Sequence, residues 1–164
     1  MALKFRKKEE IIAEVNKKAK DAVSLVIAQP VGVGALAMAA LRKEAVGEGV
    51  CLRMTRNTLA SRALEGTDYE CLLGDALTGS TLLAFSTQHP GSAARLLKQF
   101  AKANESFSIK AAAFEGEVTD VEVLAKIPTY EEGILRLMKC MQGASTGRLI
   151  STLAAIREQK QKVA

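Results

Sequence analysis

The stretch Val50–Leu64, V-C-L-R-M-T-R-N-T-L-A-S-R-A-L, changes its period part-way along, and that change decides how the chain is read. Val50, Leu52 and Met54 alternate with Cys51, Arg53 and Thr55, the period of two that marks a strand. From Leu59 the apolar residues Leu59, Ala60, Ala63 and Leu64 fall on a helical spacing, with Asn57 placed to cap the helix. The start of a helix offers backbone N–H groups and a partial positive charge. Arg53, Arg56 and Arg62 surround this one, a combination that favours phosphate. A buried strand and a capped helix with merely solvated arginines would carry the same letters.

Working outward, the chain reads as alternating helices and strands. Arg6 to Lys20 is expected to be a helix, with Ile11, Ile12, Val15 and Ala19 on one face. Ala22 to Ala28 is nearly all apolar and β-branched in part, so it reads as a strand buried on both sides. Gln29 to Gly32 breaks it. A second helix runs over Ala35 to Ala45 and ends at Gly47 and Gly49. After the Val50 strand and its helix comes a loop over Gly66–Gly79, broken by a short apolar patch at Cys71-Leu72-Leu73. Ser80–Ser86 is then a buried strand, and Pro90-Gly91 opens a helix to about Asn104. Phe107 to Phe114 alternates as a strand and turns at Glu115-Gly116-Glu117 toward a short segment at Val118. This succession predicts an α/β domain, a mixed central sheet flanked by helices, over residues 1–128.

Past Pro128 the pattern changes. Thr129-Tyr130-Glu131-Glu132 spells a capping box, and the sequence stays helical to about Lys162. One apolar stripe is Ile134, Leu137, Met138 and Met141; a second is Leu149, Ile150, Leu153 and Ile156. Gly143-Ala144-Ser145-Thr146-Gly147 separates them, and two glycines at about 1 kcal/mol each weaken a helix interior enough to predict a hinge. About 30 helical residues span roughly 45 Å, more than a lid on the domain needs. The stripes then call for a helical partner, unless residues 129–164 fold back on the sheet as its last layer.

Charge separates the two halves. Residues 1–62 hold twelve Lys/Arg against six Asp/Glu, while residues 63–164 hold eleven against twelve. A basic N-terminal half points to a polyanionic partner, although lysines also coat ordinary solvated helices. Cys51, Cys71 and Cys140 are odd in number and scattered, which suggests reduced thiols in a cytoplasmic protein and neither a disulfide frame nor a metal site. His89, the one histidine, precedes Pro90-Gly91 and reads as a turn residue; a catalytic triad has little to draw on. No apolar run approaches the roughly 18 residues of a membrane span.

One motif points elsewhere. Gly32-Val33-Gly34-Ala35-Leu36-Ala37 fits the G-x-G-x-x-A of dinucleotide-binding turns, after a strand and opening a helix. The acidic residue due about 20 positions later is replaced by Arg53 and Arg56, which would suit the 2′-phosphate of NADP. An NADP-binding domain is therefore an alternative, as is a generic RNA-binding protein with a self-associating helical tail.

Taken jointly, several stretches resemble the family of bacterial large-subunit ribosomal proteins found at the base of the lateral stalk. They are Met1-Ala2-Leu3, Leu41-Arg42-Lys43, Arg56-Asn57-Thr58-Leu59, Glu65-Gly66-Thr67, His89-Pro90-Gly91, Lys110 to Gly116, Pro128 to Glu132 and Leu153 to Arg157. The resemblance covers essentially the whole chain, although Gly32-Val33-Gly34 and Gly133 make it richer in glycine than expected. It implies a non-enzymatic protein, without cofactor, whose N-terminal domain binds large-subunit (23S) rRNA beside a neighbouring stalk-base protein. It also implies that the C-terminal helix carries dimers of the small acidic stalk protein, which recruit translational GTPases, and that the protein represses its own mRNA by binding the leader. On this reading the RNA contacts are Lys7, Lys8, Arg42, Arg53, Arg56, Asn57, Thr58 and Arg62, and the two C-terminal stripes dock the partner.

Overall fold

A computed structural model describes residues 5–70, 75–104, 106–143 and the single positions 150, 152, 156 and 161. The elements run α1 (Phe5–Asp21), β1 (Ser24–Pro30), α2 (Ala35–Gly47), β2 (Val50–Met54), α3 (Asn57–Leu64), β3 (Leu82–Ser86), α4 (Ser92–Ala103), β4 (Phe107–Phe114), β5 (Glu117–Thr119), α5 (Val121–Lys126) and α6 (Tyr130–Gln142). A single 3₁₀ turn, Asp75–Leu77, precedes β3. The chain divides into two compact units, Met1–Ile127 and Pro128–Ala164.

The first unit is the expected α/β domain with helices on a central sheet, in the strand order β2-β3-β1-β4-β5. Every ladder is antiparallel, where a mixed sheet was expected. The reason lies in the crossovers. β1 and β2 do point the same way across α2, but β3 inserts between them; β3 and β4 likewise flank β1 across α4. Alternating strands and helices predict parallel direction, which the crossovers do provide, but not adjacency. The same order removes the dinucleotide reading, because the two strands of a nucleotide-binding βαβ unit lie side by side and parallel.

Alternation within the strands gives the sheet two apolar faces, as the sequence of β1 required. Val26, Ala28, Leu82, Ala84 and Ala112 face one layer, made by Leu41 and Ala45 of α2, Leu96 and Leu97 of α4, and Leu124 of α5. Leu25, Ile27, Leu83, Phe85 and Ala113 face the other, made by Val15 and Ala19 of α1 with Ala60, Ala63 and Leu64 of α3. The core is aliphatic, with Phe100 and Phe107 meeting edge to face at 5.1 Å as its aromatic contact among the described residues. The β4–β5 hairpin closes at Glu115 and Gly116, both at positive φ (51° and 83°), the geometry of a two-residue turn that matches strand twist. In β4, Lys110 is an extra residue opposite the step from Ile27 to Ala28, a bulge that breaks the register.

The second unit opens as the sequence predicts. Thr129 Oγ1 accepts from the Glu132 amide at 3.4 Å, and Glu132 Oε2 accepts from the Thr129 amide at 3.2 Å, closing the capping box of α6. Gly143 keeps helical angles at the end of α6. The remainder of the expected hinge, 144–147, lies outside the described residues, as do Leu149 and Leu153.

Candidate nucleic-acid interface

Three elements converge at the outer edge of the sheet. β2 is an edge strand, so one side of its backbone faces no neighbouring strand. Where β2 ends and α3 begins lies an open groove of about 910 Å³. It is lined by Ile11 of α1, Arg42 of α2, Leu52 to Met54 of β2, Thr55 to Leu59 at the head of α3, and Gly79 to Thr81. The groove thus collects Arg42, Arg53, Arg56, Asn57 and Thr58, five of the eight expected RNA contacts, from three secondary-structure elements and the β2–α3 turn. Lys7, Lys8 and Arg62 do not line it. Lys7 and Lys8 stand one helical turn before Ile11 on α1, and Arg62 is exposed in the last turn of α3.

The local structure explains each placement. Period two sends Arg53 to the α1 side of the sheet and Leu52 to the α2 side, so the edge carries charge and apolar surface together. The Arg53 guanidinium donates to Glu14 Oε2 at 2.7 Å, and Glu14 Oε1 pairs with Lys18 at 2.8 Å. The hydrogen bond from Lys18 and the two cations together hold the Glu14 carboxyl below its usual range, against the opposing pull of desolvation. Arg53 is therefore a positioned guanidinium. One amino group faces Glu14, and the planar fork has further donors to offer.

Asn57 does not cap α3. Arg56 takes the N-cap position, with extended backbone angles and no side-chain cap, and its carbonyl accepts from the amides of Leu59 and Ala60 at 2.9 Å each. The Asn57 carboxamide instead donates to the Gly79 carbonyl at 2.8 Å and accepts from the Thr81 hydroxyl at 2.7 Å. A local pattern of cap residue before helix predicted the wrong bond because the competing partners lie more than twenty residues away. Asn57 ties the head of α3 to the segment leading into β3. Lys110, aimed by its bulge, holds the same segment from the other side through the Thr78 carbonyl and hydroxyl. Sequence reasoning missed Lys110, Glu14 and the Gly79–Thr81 wall, for which no short-range signal exists. The alternation of Leu52 and Met54 marked the strand, and the structure adds that both line the groove.

In the second unit, Ile134, Leu137, Met138 and Met141 lie on one stripe of α6 and all are exposed, Leu137 at 62%. Ile150 and Ile156 of the second stripe are helical and exposed. Among the described residues no His/Cys/Asp/Glu group of three is arranged to hold a metal, and no helix is long and apolar enough to cross a membrane.

A sequence model described as Ribosomal protein L10 matches residues 4–102, which carry α1 to α4 and every residue of the groove. The chain belongs to the ribosomal protein L10 family. Members of the L10 family similar to it over the full length carry the name large ribosomal subunit protein uL10. That of Aliivibrio fischeri (strain MJ11) is 57% identical over 164 residues, covering 100% of this chain and 99% of the relative. That of Vibrio parahaemolyticus is 58% identical over 161 residues, covering 98% and 99%. The L10 family thus accounts for both units of the chain, and it places the protein among constituents of the large ribosomal subunit.

Proposed function

We propose that the first unit binds large-subunit rRNA through the β2-edge groove, and that the second unit anchors dimers of a small acidic partner through its apolar stripes. The observation that carries the first half is the convergence of Arg42, Arg53 and Arg56 on one groove at the head of α3. Guanidinium groups match phosphate geometry bidentately, and a helix start adds N–H donors to them. The second half is supported by four large apolar side chains exposed along one stripe of α6, at the spacing by which an amphipathic helix docks in a groove. On this reading the protein works at the stalk base in the cytoplasm, beside a neighbouring ribosomal protein. It also represses its own messenger through the same RNA-binding surface.

Two measurements test it. Arg56→Ala and Arg42→Ala should weaken binding to large-subunit rRNA and lower the salt dependence by about 0.7–0.9 for each phosphate no longer neutralised. Unchanged affinity in both would remove the RNA assignment. Leu153→Asp, or Leu137→Asp within the described helix, should abolish partner binding and spare RNA binding. Native mass spectrometry of the protein taken gently from its own cytoplasm should show one chain with an even number of small acidic subunits. A homodimer would instead favour a self-associating tail.

A further inference from the structure

We propose that the groove along β2 seats an unstacked nucleobase, with the phosphates on either side of it held by Arg42, Arg53 and Arg56. The proposal rests on the RNA-binding reading above and specifies what part of the RNA enters the groove. A site for phosphate alone needs donors and positive charge, yet this groove is also lined by Ile11, Leu52, Met54 and Leu59. Met54 is decisive. It ends β2 with 47% of its surface exposed, a large apolar side chain sharing one groove with three guanidinium groups. Phosphate and sugar gain nothing from such a surface, whereas a base has apolar faces and polar edges and is matched on both.

The edge of the strand supplies the second half of that match. On an antiparallel edge strand, every second residue turns its N–H and C=O outward, away from the neighbouring strand. Thr58 and Ser80, two hydroxyl-bearing residues, belong to the same lining. The Thr55 hydroxyl, at the same place, is buried and has no hydrogen-bond partner among the described residues. The bases of an A-form duplex are stacked inside it and behind a narrow major groove, so the ligand is a loop, bulge or single-stranded turn. The cations that line the groove are all arginine, none lysine. A guanidinium plane stacks on a base and forks on a phosphate, and an ammonium does neither.

The test uses the full chain and the large-subunit RNA fragment that it protects from ribonuclease, with 2-aminopurine placed at the unpaired positions one at a time. One position should change its fluorescence on binding, and Met54→Ser should suppress that change. Met54→Ser should also weaken binding by about five- to tenfold, the scale of the apolar area withdrawn from the base. The salt dependence should stay as in the wild type, since every phosphate keeps its arginine. Met54→Leu should bind like the wild type, and an abasic site at the responding position should erase the difference between wild type and Met54→Ser. Wild-type affinity in Met54→Ser, with Arg56→Ala weakened, would overturn base seating and leave the RNA reading standing. Wild-type affinity in every variant would remove the RNA reading as well. If Met54→Ser spares RNA binding but releases a co-purifying acidic protein, the groove pairs with a protein strand and the proposal fails.

Discussion

Arg95 of α4 donates its Nη2 to the carbonyl of Ile127 at 2.8 Å, and its Nε reaches the carbonyl of Ala125 at 3.0 Å. These carbonyls belong to the end of α5, a six-residue helix that has few hydrogen bonds of its own. A charged side chain thus caps a helix it does not belong to, and fixes where the first unit ends. Arg95→Ala should destabilise the first unit by about 1.5–3 kcal/mol, since the bonds removed involve a charged donor and leave carbonyls behind. Chemical denaturation followed by circular dichroism would measure this, with RNA affinity unchanged at native conditions. A variant as stable as the wild type would show that water takes over the cap.

Gly91, just before α4, closes the same junction. A Cβ there would stand 2.9 Å from the Leu124 carbonyl oxygen and 3.1 Å from that of Ile127. Both neighbours are backbone and neither can step aside, so Gly91→Ala should force α5 from its place. The expected cost is about 1–3 kcal/mol, the range for overpacking a well-filled site. Its melting temperature should fall by several degrees, and a Gly91→Ala/Arg95→Ala double mutant should lose less than the two singles added together.

The two positions mark how far the letters of the chain reach. The limits of β4, Phe107–Phe114, were legible, although the bulge at Lys110 sends Ala111 to the opposite face from Phe107 and Ile109, and so was α6, whose cap needs only residues three apart. The alternation of Leu52 and Met54 announced the strand but not the groove that its end helps to line. What stayed hidden required partners far along the chain. The role of Asn57 was set by Gly79 and Thr81, that of Lys110 by a register shift, and the burial of Gly91 by α5, a helix too short to show a period. Strand order was hidden for the same reason, because β3 takes its place between β1 and β2 through contacts that no local pattern encodes.

Tyr69 ionises only under strong base. Its ring is buried in the α1–α3 layer and its hydroxyl donates to the Ala22 carbonyl at 2.7 Å. Burial, with the Asp68 carboxylate beside it, raises its pKa from 10.0 to about 12. The raised folded value means that the stabilisation is complete below the unfolded pKa and is lost as pH climbs from 10.0 toward about 12. Ultraviolet titration of a Tyr130→Phe variant should therefore show the remaining phenol ionising near 12 in the folded chain. Tyr69→Phe should reduce the alkaline loss of stability above pH 10.0, leaving the part that Lys18, whose pKa is raised by its bond to Glu14, contributes.

Glu14 separates the charge of the groove from its geometry. It holds Arg53 at 2.7 Å and Lys18 at 2.8 Å, and its carboxyl is held below the ordinary value of 4.5. A lowered folded value gives stabilisation that is present above the unfolded pKa and lost as pH falls through the folded one. The stability difference between wild type and Glu14→Gln should accordingly be constant near neutrality and shrink once the pH drops below 4.5. The effect is small, because both partners of the Arg53 pair keep about two-fifths of their side chains in solvent. RNA binding should move the other way. Glu14→Gln removes a negative charge beside Arg53, so RNA affinity at low salt should rise by about two- to tenfold and the gain should shrink as salt is added. A fall in affinity at every salt concentration would mean that Glu14 matters more for holding the guanidinium in place than for the charge it cancels. Equal affinity would mean that Arg53 does not face the RNA.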